Sequence, residues 1–191
     1  VANAASVPWV IAERKFAFCE ADFERVRQMI HARAGIALGV HKREMVYSRL
    51  ARRLRILGYQ DFGRYLDLLE SQPTSTEWEY FVNALTTNLT AFFREPHHFP
   101  ILASFVRQRS EPLSVWCCGA STGEEAYSIA ITLVEALGPR ANMAKVFATD
   151  IDTYALSLAR MAVYAYERVA GLEPYRLKRF FYEVVVIIAD K

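Results

Sequence analysis

The chain has 191 residues, 53% of them hydrophobic, which suffices for one large or two small domains with a sizeable buried core. Its net charge of +2 is too small to demand a nucleic-acid partner. There is no apolar run of roughly 18 residues and no signal-peptide pattern, so neither a membrane span nor secretion by that route is expected.

The first residue is Val1 rather than Met, so the start reads as processed, engineered or incomplete. Residues 1–15 hold Pro8 and no clear period, and read as a loose tail. From Asp22, the apolar positions Phe23, Val26, Met29, Ile30 and Ala34 recur at helical spacing until Gly35 supplies a stop. A second helix is predicted over 41–57 before Gly58, a third over 61–69, and a fourth over 76–85 after Pro73. Four short helices with brief connections make a small helical domain over 16–85.

The second helix carries an unusual charge pattern. Val46, Leu50, Leu54 and Leu57 share one face, which should pack on neighbouring helices. Lys42, Arg49, Arg52 and Arg53 gather on the adjoining arc, Arg55 flanks it, and Arg43 projects onto the apolar side near the helix start. Only Glu44 offsets these six cations. They are either a solvated face or a docking surface for an acidic partner. With no zinc pattern and no RNP-like run, an acidic protein surface fits better than nucleic acid.

Residues 86–100 form a linker whose first ten residues, Thr86-Thr-Asn-Leu-Thr-Ala-Phe-Phe-Arg-Glu95, break the helical pattern before a predicted helix over 98–107. Asn88, Thr90 and Arg94 place an amide, a hydroxyl and a guanidinium within seven residues, beside Phe92 and Phe93. Arginine can grip a carboxylate with two hydrogen bonds, and an aromatic pair can wall a cofactor. The same residues also read as a polar turn followed by core aromatics. His97 and His98 are adjacent, diverge on a helix and lack an i, i+4 mate, so no metal is expected.

Residues 113–118 read as a buried strand, Gly119-Ala-Ser-Thr-Gly123 as a turn, and the following residues as an amphipathic helix. A second strand over 145–150 ends in Asp150. Strand, glycine turn, helix, strand, acid is the layout of a βαβ unit that holds a nucleoside-containing cofactor, and 101–191 is therefore assigned to it. Gly119 and Gly123 leave room for the ligand against bare backbone. Asp150 is placed to accept both ribose hydroxyls.

Charge discriminates between nucleosides. A dinucleotide site needs G-x-G-x-x-G, whereas here Glu124 and Glu125 follow the turn at once and would repel a pyrophosphate. They suit a ligand carrying an ammonium or a sulfonium, and S-adenosylmethionine carries both. The plainer reading is that both glutamates satisfy the helix dipole. Cys117 and Cys118 are adjacent in the strand and point to opposite faces, while Cys19 stands alone. With no C-x-x-C spacing, all three read as buried reduced thiols of a cytosolic protein.

The segment 86–95, the turn Gly119-Ala-Ser-Thr-Gly-Glu-Glu125 and Phe147-Ala-Thr-Asp-Ile-Asp152 together resemble the chemotaxis receptor methyltransferases, the CheR family. The basic helix and Asp61-Phe-Gly-Arg-Tyr-Leu66 share the likeness, which runs from about residue 20 to about residue 181. The resemblance implies an α/β protein: a small N-terminal helical bundle, then a partial Rossmann-like methyltransferase sheet. It implies methyl transfer from S-adenosylmethionine to glutamates on the cytoplasmic helical bundle of chemoreceptors, with S-adenosylhomocysteine as product. By the same resemblance, Asn88, Thr90, Arg94, Gly119, Glu125 and Asp150 fall where the cofactor binds, and Arg94 is the favoured positioning residue for catalysis. Lys42, Arg43, Arg49, Arg52 and Arg53 fall where the receptor docks. The implied protein is cytoplasmic, is not inserted in a membrane, and is monomeric when full-length.

The family normally continues for about three more strands and two helices, so this chain reads as truncated, with 182–190 as its last strand. Two rival functions follow. One is a non-catalytic receptor- or cofactor-binding module. The other is a nucleic-acid methyltransferase, suggested by the basic helix alone.

Overall fold

The computed structural model describes residues 15–183. The expected N-terminal tail up to residue 14 and the closing apolar run over 184–190 lie outside the described residues. The chain divides between Leu85 and Thr86 into two compact units, each with its own core.

The first unit is helical. Helix α1 spans Glu20–Ala34, α2 Arg43–Leu57, α3 Phe62–Ser71 and α4 Glu77–Leu85. The predicted start of α1 at Asp22 is two residues late. Cys19 caps the helix: its N–H donates to the Asp22 carboxylate at 2.9 Å, and its sulfur accepts the Asp22 N–H at 3.4 Å. A cysteine in the place usually held by Ser or Thr hides this reciprocal cap from a sequence reading. Asp61, predicted as the first residue of α3, is instead its cap, with Oδ1 accepting the Arg64 N–H at 2.8 Å.

Phe23, Val26 and Ile30 of α1, Val46, Leu50 and Leu54 of α2, and Phe62 and Leu66 of α3 meet in this core. Leu57, assigned to the same apolar stripe, is 39% exposed because α2 ends there and Gly58 turns the chain away. Tyr65 is fully buried, and its hydroxyl donates to Glu77 at 2.9 Å. Burial beside that carboxylate pushes the phenol far above its ordinary value, so it remains a donor.

The second unit is α/β. Helix α5 spans His98–Arg107, strand β1 Leu113–Cys118, helix α6 Glu124–Leu137 and strand β2 Ala144–Thr149. Three short helices follow: α7 over Thr153–Met161, α8 over Tyr166–Val169 and α9 over Pro174–Phe180. β1 and β2 pair in parallel with Leu113 opposite Ala144 and Cys118 opposite Thr149, so α6 is the crossover of a βαβ unit. Val106, Cys117, Ile129 and Leu133 belong to the core on one side of the sheet. On the other side, Trp116 is 69% and Phe147 56% exposed. Among the described residues the two-stranded sheet thus has one covered face and one exposed face.

Candidate cofactor site

The C-terminal ends of β1 and β2 meet at the turn 119–123. Gly119 adopts φ +75° and donates its N–H to the Thr149 carbonyl at 2.8 Å, and the Ala120 N–H shares that acceptor at 3.0 Å. Nothing within 4 Å would touch a Cβ on Gly119, so open space lies against bare backbone there. Gly123 serves a different purpose from the one expected. It has φ +99°, and an added Cβ would lie 2.8 Å from the Tyr164 hydroxyl and 2.9 Å from the Ala159 methyl. The protein's own α7 and the segment after it use that bare backbone, leaving no room there for a ligand.

Asp150 stands directly after β2, half-buried. Its Oδ2 accepts the Ser121 N–H across the turn at 2.7 Å, and its Oδ1 accepts the Asp152 N–H at 2.8 Å. Each oxygen keeps a lone pair for an incoming hydroxyl. Ser121, held at φ +50°, has a buried Oγ without a hydrogen-bond partner among the described residues. An unpaired hydroxyl in this turn is a group that a polar ligand would satisfy.

The two glutamates after the turn separate. Glu124 is fully buried: one carboxylate oxygen accepts the Thr122 hydroxyl at 2.6 Å, and the other holds Arg168. The Arg168 guanidinium also donates to the Thr90 carbonyl at 3.1 Å. Glu124 is thus neutralised inside the protein, which corrects the reading of two carboxylates facing one cation. Glu125 is exposed in the first turn of α6 and remains available. Together with Asp150 it adds to the burial that pushes the Cys117 thiol up to about 11. The negative potential of both carboxylates therefore reaches the end of β1. Among the described residues only Cys117 is a buried thiol; Cys19 and Cys118 are exposed, against expectation.

The linker is tied to this site by a residue that the sequence reading left without a role. Asp152 is 2% exposed and caps α7, its Oδ1 accepting the Ala155 N–H at 2.9 Å. Its Oδ2 accepts both the Thr86 hydroxyl and the Asn88 amide at 2.6 Å. Asn88 and Thr90 are thereby fastened beside Asp150 and Glu124. Arg94 is exposed and donates to the Leu89 carbonyl at 3.2 Å, within its own loop. Phe92 and Phe93 are core rather than a cofactor wall. Phe92 packs edge-on against Tyr164 and Phe181, and Phe93 against Phe99. The His97 and His98 rings meet edge-on, and no metal-binding group occurs among the described residues.

The basic helix of the first unit also separates by role. Arg53 makes a two-pronged pair with Glu77, at 2.7 and 2.5 Å, in a mostly buried setting. Arg43 lies over the Phe18 ring and donates to the Phe18 carbonyl at 2.6 Å. Arg49 donates to the Ala84 carbonyl at 3.2 Å. These three cations hold the helical unit together. The exposed side chains of Lys42, Arg52 and Arg55 have no partner among the described residues.

A βαβ unit with an open glycine at the first strand end and an acid at the second is the layout found in nucleoside-binding proteins of the α/β class. Residues 88–186 match the model described as "CheR methyltransferase, SAM binding domain", and residues 21–86 match "CheR methyltransferase, all-alpha domain". The chain belongs to the CheR methyltransferase family. It is 59% identical over 162 residues to the chemotaxis protein methyltransferase of Klebsiella aerogenes, covering 85% of this chain and 56% of that protein. It is 56% identical over 167 residues to that of Escherichia coli K12, covering 87% and 58%. The chemotaxis protein methyltransferase 2 of Pseudomonas aeruginosa is 50% identical over 175 residues, covering 90% and 62%. The chain spans little more than half the length of these relatives.

Proposed function

We propose that this protein transfers a methyl group from S-adenosylmethionine to glutamate side chains of methyl-accepting chemotaxis receptors, in the cytoplasm. The observation that carries this reading is Asp150 at the end of β2, bonded to the turn that holds the open side of Gly119, with the exposed Glu125 in the first turn of α6 just after that turn. That arrangement offers two carboxylates and bare backbone to a cationic nucleoside. When bound, the cofactor supplies a methyl carbon already activated by the sulfonium charge.

The protein's residues then have to bind and orient. Asp150 is assigned to the ribose, Glu125 to the positive end of the ligand, and Asn88, Thr90 and Gly119 to the pocket wall. A substrate glutamate with a pKa near ~4.3 is ionised at neutral pH, so no general base is required. Arg94 is assigned to a carboxylate, that of the substrate or that of the cofactor's methionine portion, which its planar fork can hold. Residues 16–85 are assigned to receptor docking, residues 86–100 to a linker that contributes to the site, and residues 101–191 to the methyltransferase sheet, in a monomer. No observation favours a non-catalytic module.

The test is calorimetric titration of the purified protein, at the length made in its own host, with S-adenosylmethionine. Asp150→Asn should weaken binding about tenfold, the size of one lost charge-assisted hydrogen bond. Wild-type affinity in that variant would remove Asp150 from the site. Absence of heat with the unaltered protein would sink the whole reading.

A further inference from the structure

Asp152 joins three pieces of chain that meet at the candidate site. One of its oxygens caps α7 at the Ala155 N–H. The other takes two donors from the linker, Thr86 and Asn88, both at 2.6 Å. Its own N–H donates to Asp150, whose other oxygen holds the Ser121 N–H of the glycine turn. An unbroken hydrogen-bonded path therefore runs from the linker through Asp152 and Asp150 into the turn.

We propose that Asp152 is a positioning residue for methyl transfer: its carboxylate straps the linker to the ribose-holding acid, so that Asn88, Thr90 and Asp150 present one preformed site. The inference rests on the cofactor reading given above. It also alters the role of Asn88. The amide nitrogen is committed to Asp152, and the amide oxygen is the atom left to face a ligand. A carboxylate is required because three donors converge on it, and two of them share one oxygen. An asparagine has a single acceptor oxygen, which can serve either the cap or the strap.

Asp152→Asn therefore separates the two duties. Asn is among the best helix caps, so α7 should keep its cap, and the thermal midpoint should fall only by what the two lost strap bonds account for. The strap loses its acceptor, and the linker is freed. The expected result in the protein at its natural length is S-adenosylmethionine affinity weakened about tenfold, with receptor KM unchanged. Combined with Asn88→Ala, the loss should be no larger than the larger single loss, because both changes cut the same bond. A merely structural role would lower the melting midpoint and leave S-adenosylmethionine affinity at the wild-type value. Wild-type affinity in Asp152→Asn, or additivity with Asn88→Ala, overturns the proposal while the cofactor reading stands. Absence of binding by the unaltered protein overturns both. Should Asp152→Asn fail to fold, Thr86→Val removes one strap donor and leaves the capping carboxylate and the Asn88 amide intact. Unweakened affinity in that variant also overturns the proposal.

Discussion

Arg94 shows how much chemistry a single side chain can be assigned from type alone. It is exposed and bonded to the carbonyl of Leu89, five residues back in the same loop, so its guanidinium keeps donors for a carboxylate. Lysine would retain the charge and lose the planar fork. Arg94→Lys should therefore cut methyl transfer roughly ten- to a hundredfold, the range of one lost charge-assisted bond. Wild-type turnover and cofactor affinity in that variant would return Arg94 to the status of a surface charge. The places of Asp150 and Glu125, after a strand and a glycine turn, were readable from the sequence. Asp152 and Arg168 were not, because their partners lie 66 and 44 residues away in the chain and only folding brings them together.

Among the elements, α2 carries the sharpest contrast. Arg53 and Glu77 form a pair that is mostly withdrawn from water, with Tyr65 donating to the same carboxylate. Removing one partner leaves a buried charge uncompensated, at a cost of about 3–5 kcal/mol. Arg53→Ala should accordingly lower the urea midpoint of the first unit sharply. Reversing Lys42, Arg52 and Arg55 to Glu should leave that midpoint in place and reduce receptor methylation, most strongly at low salt. Parental methylation rates at low salt after the triple reversal would end the docking assignment. A helical projection places all these arginines on neighbouring arcs. It cannot say which of them another helix will claim.

Helix α9 is tied to α6 through charge. Arg176 makes a two-pronged bond to Glu135, and the Tyr175 hydroxyl joins at 2.8 Å. The Arg176 hydrogen bond holds the Glu135 carboxyl below its ordinary value, so the folded state binds that proton less readily than the unfolded chain. A depressed carboxylate contributes stability that is present above the unfolded value and lost as pH falls through the folded one. Denaturant midpoints measured from about pH 5 down to about pH 3 should fall, and Glu135→Gln should flatten part of that decline. An identical slope in the variant would show that the pair contributes nothing.

At the scale of the whole molecule, the described residues of the first unit share one core from Phe16 to Leu85, whereas the second leaves Trp116 and Phe147 exposed on one face of its sheet. A fragment of residues 15–85 should therefore melt cooperatively with native helicity, which circular dichroism on heating would check. A broad, non-cooperative melt would show that its core is insufficient alone. Among the described residues no helix is long and apolar enough to cross a membrane.

The helical periods of the first half and the strand–turn–helix–strand order of the second follow from local patterning, and the sequence by itself determined both. Apolar spacing, Gly35 and Gly58 as stops, and the strand over 113–118 each act within a few neighbouring residues, though that strand, read as buried, has only Cys117 fully covered. Tertiary structure alone decided which like residues do unlike work. Glu124 is buried under Arg168 while Glu125 meets solvent, Gly123 is filled by Tyr164 while Gly119 stays open, and Arg53 is withdrawn while Arg52 is not. The physical reason is that a residue's type sets what it can bond. Its partner's arrival from a distant part of the chain sets whether that capacity is left over for anything else.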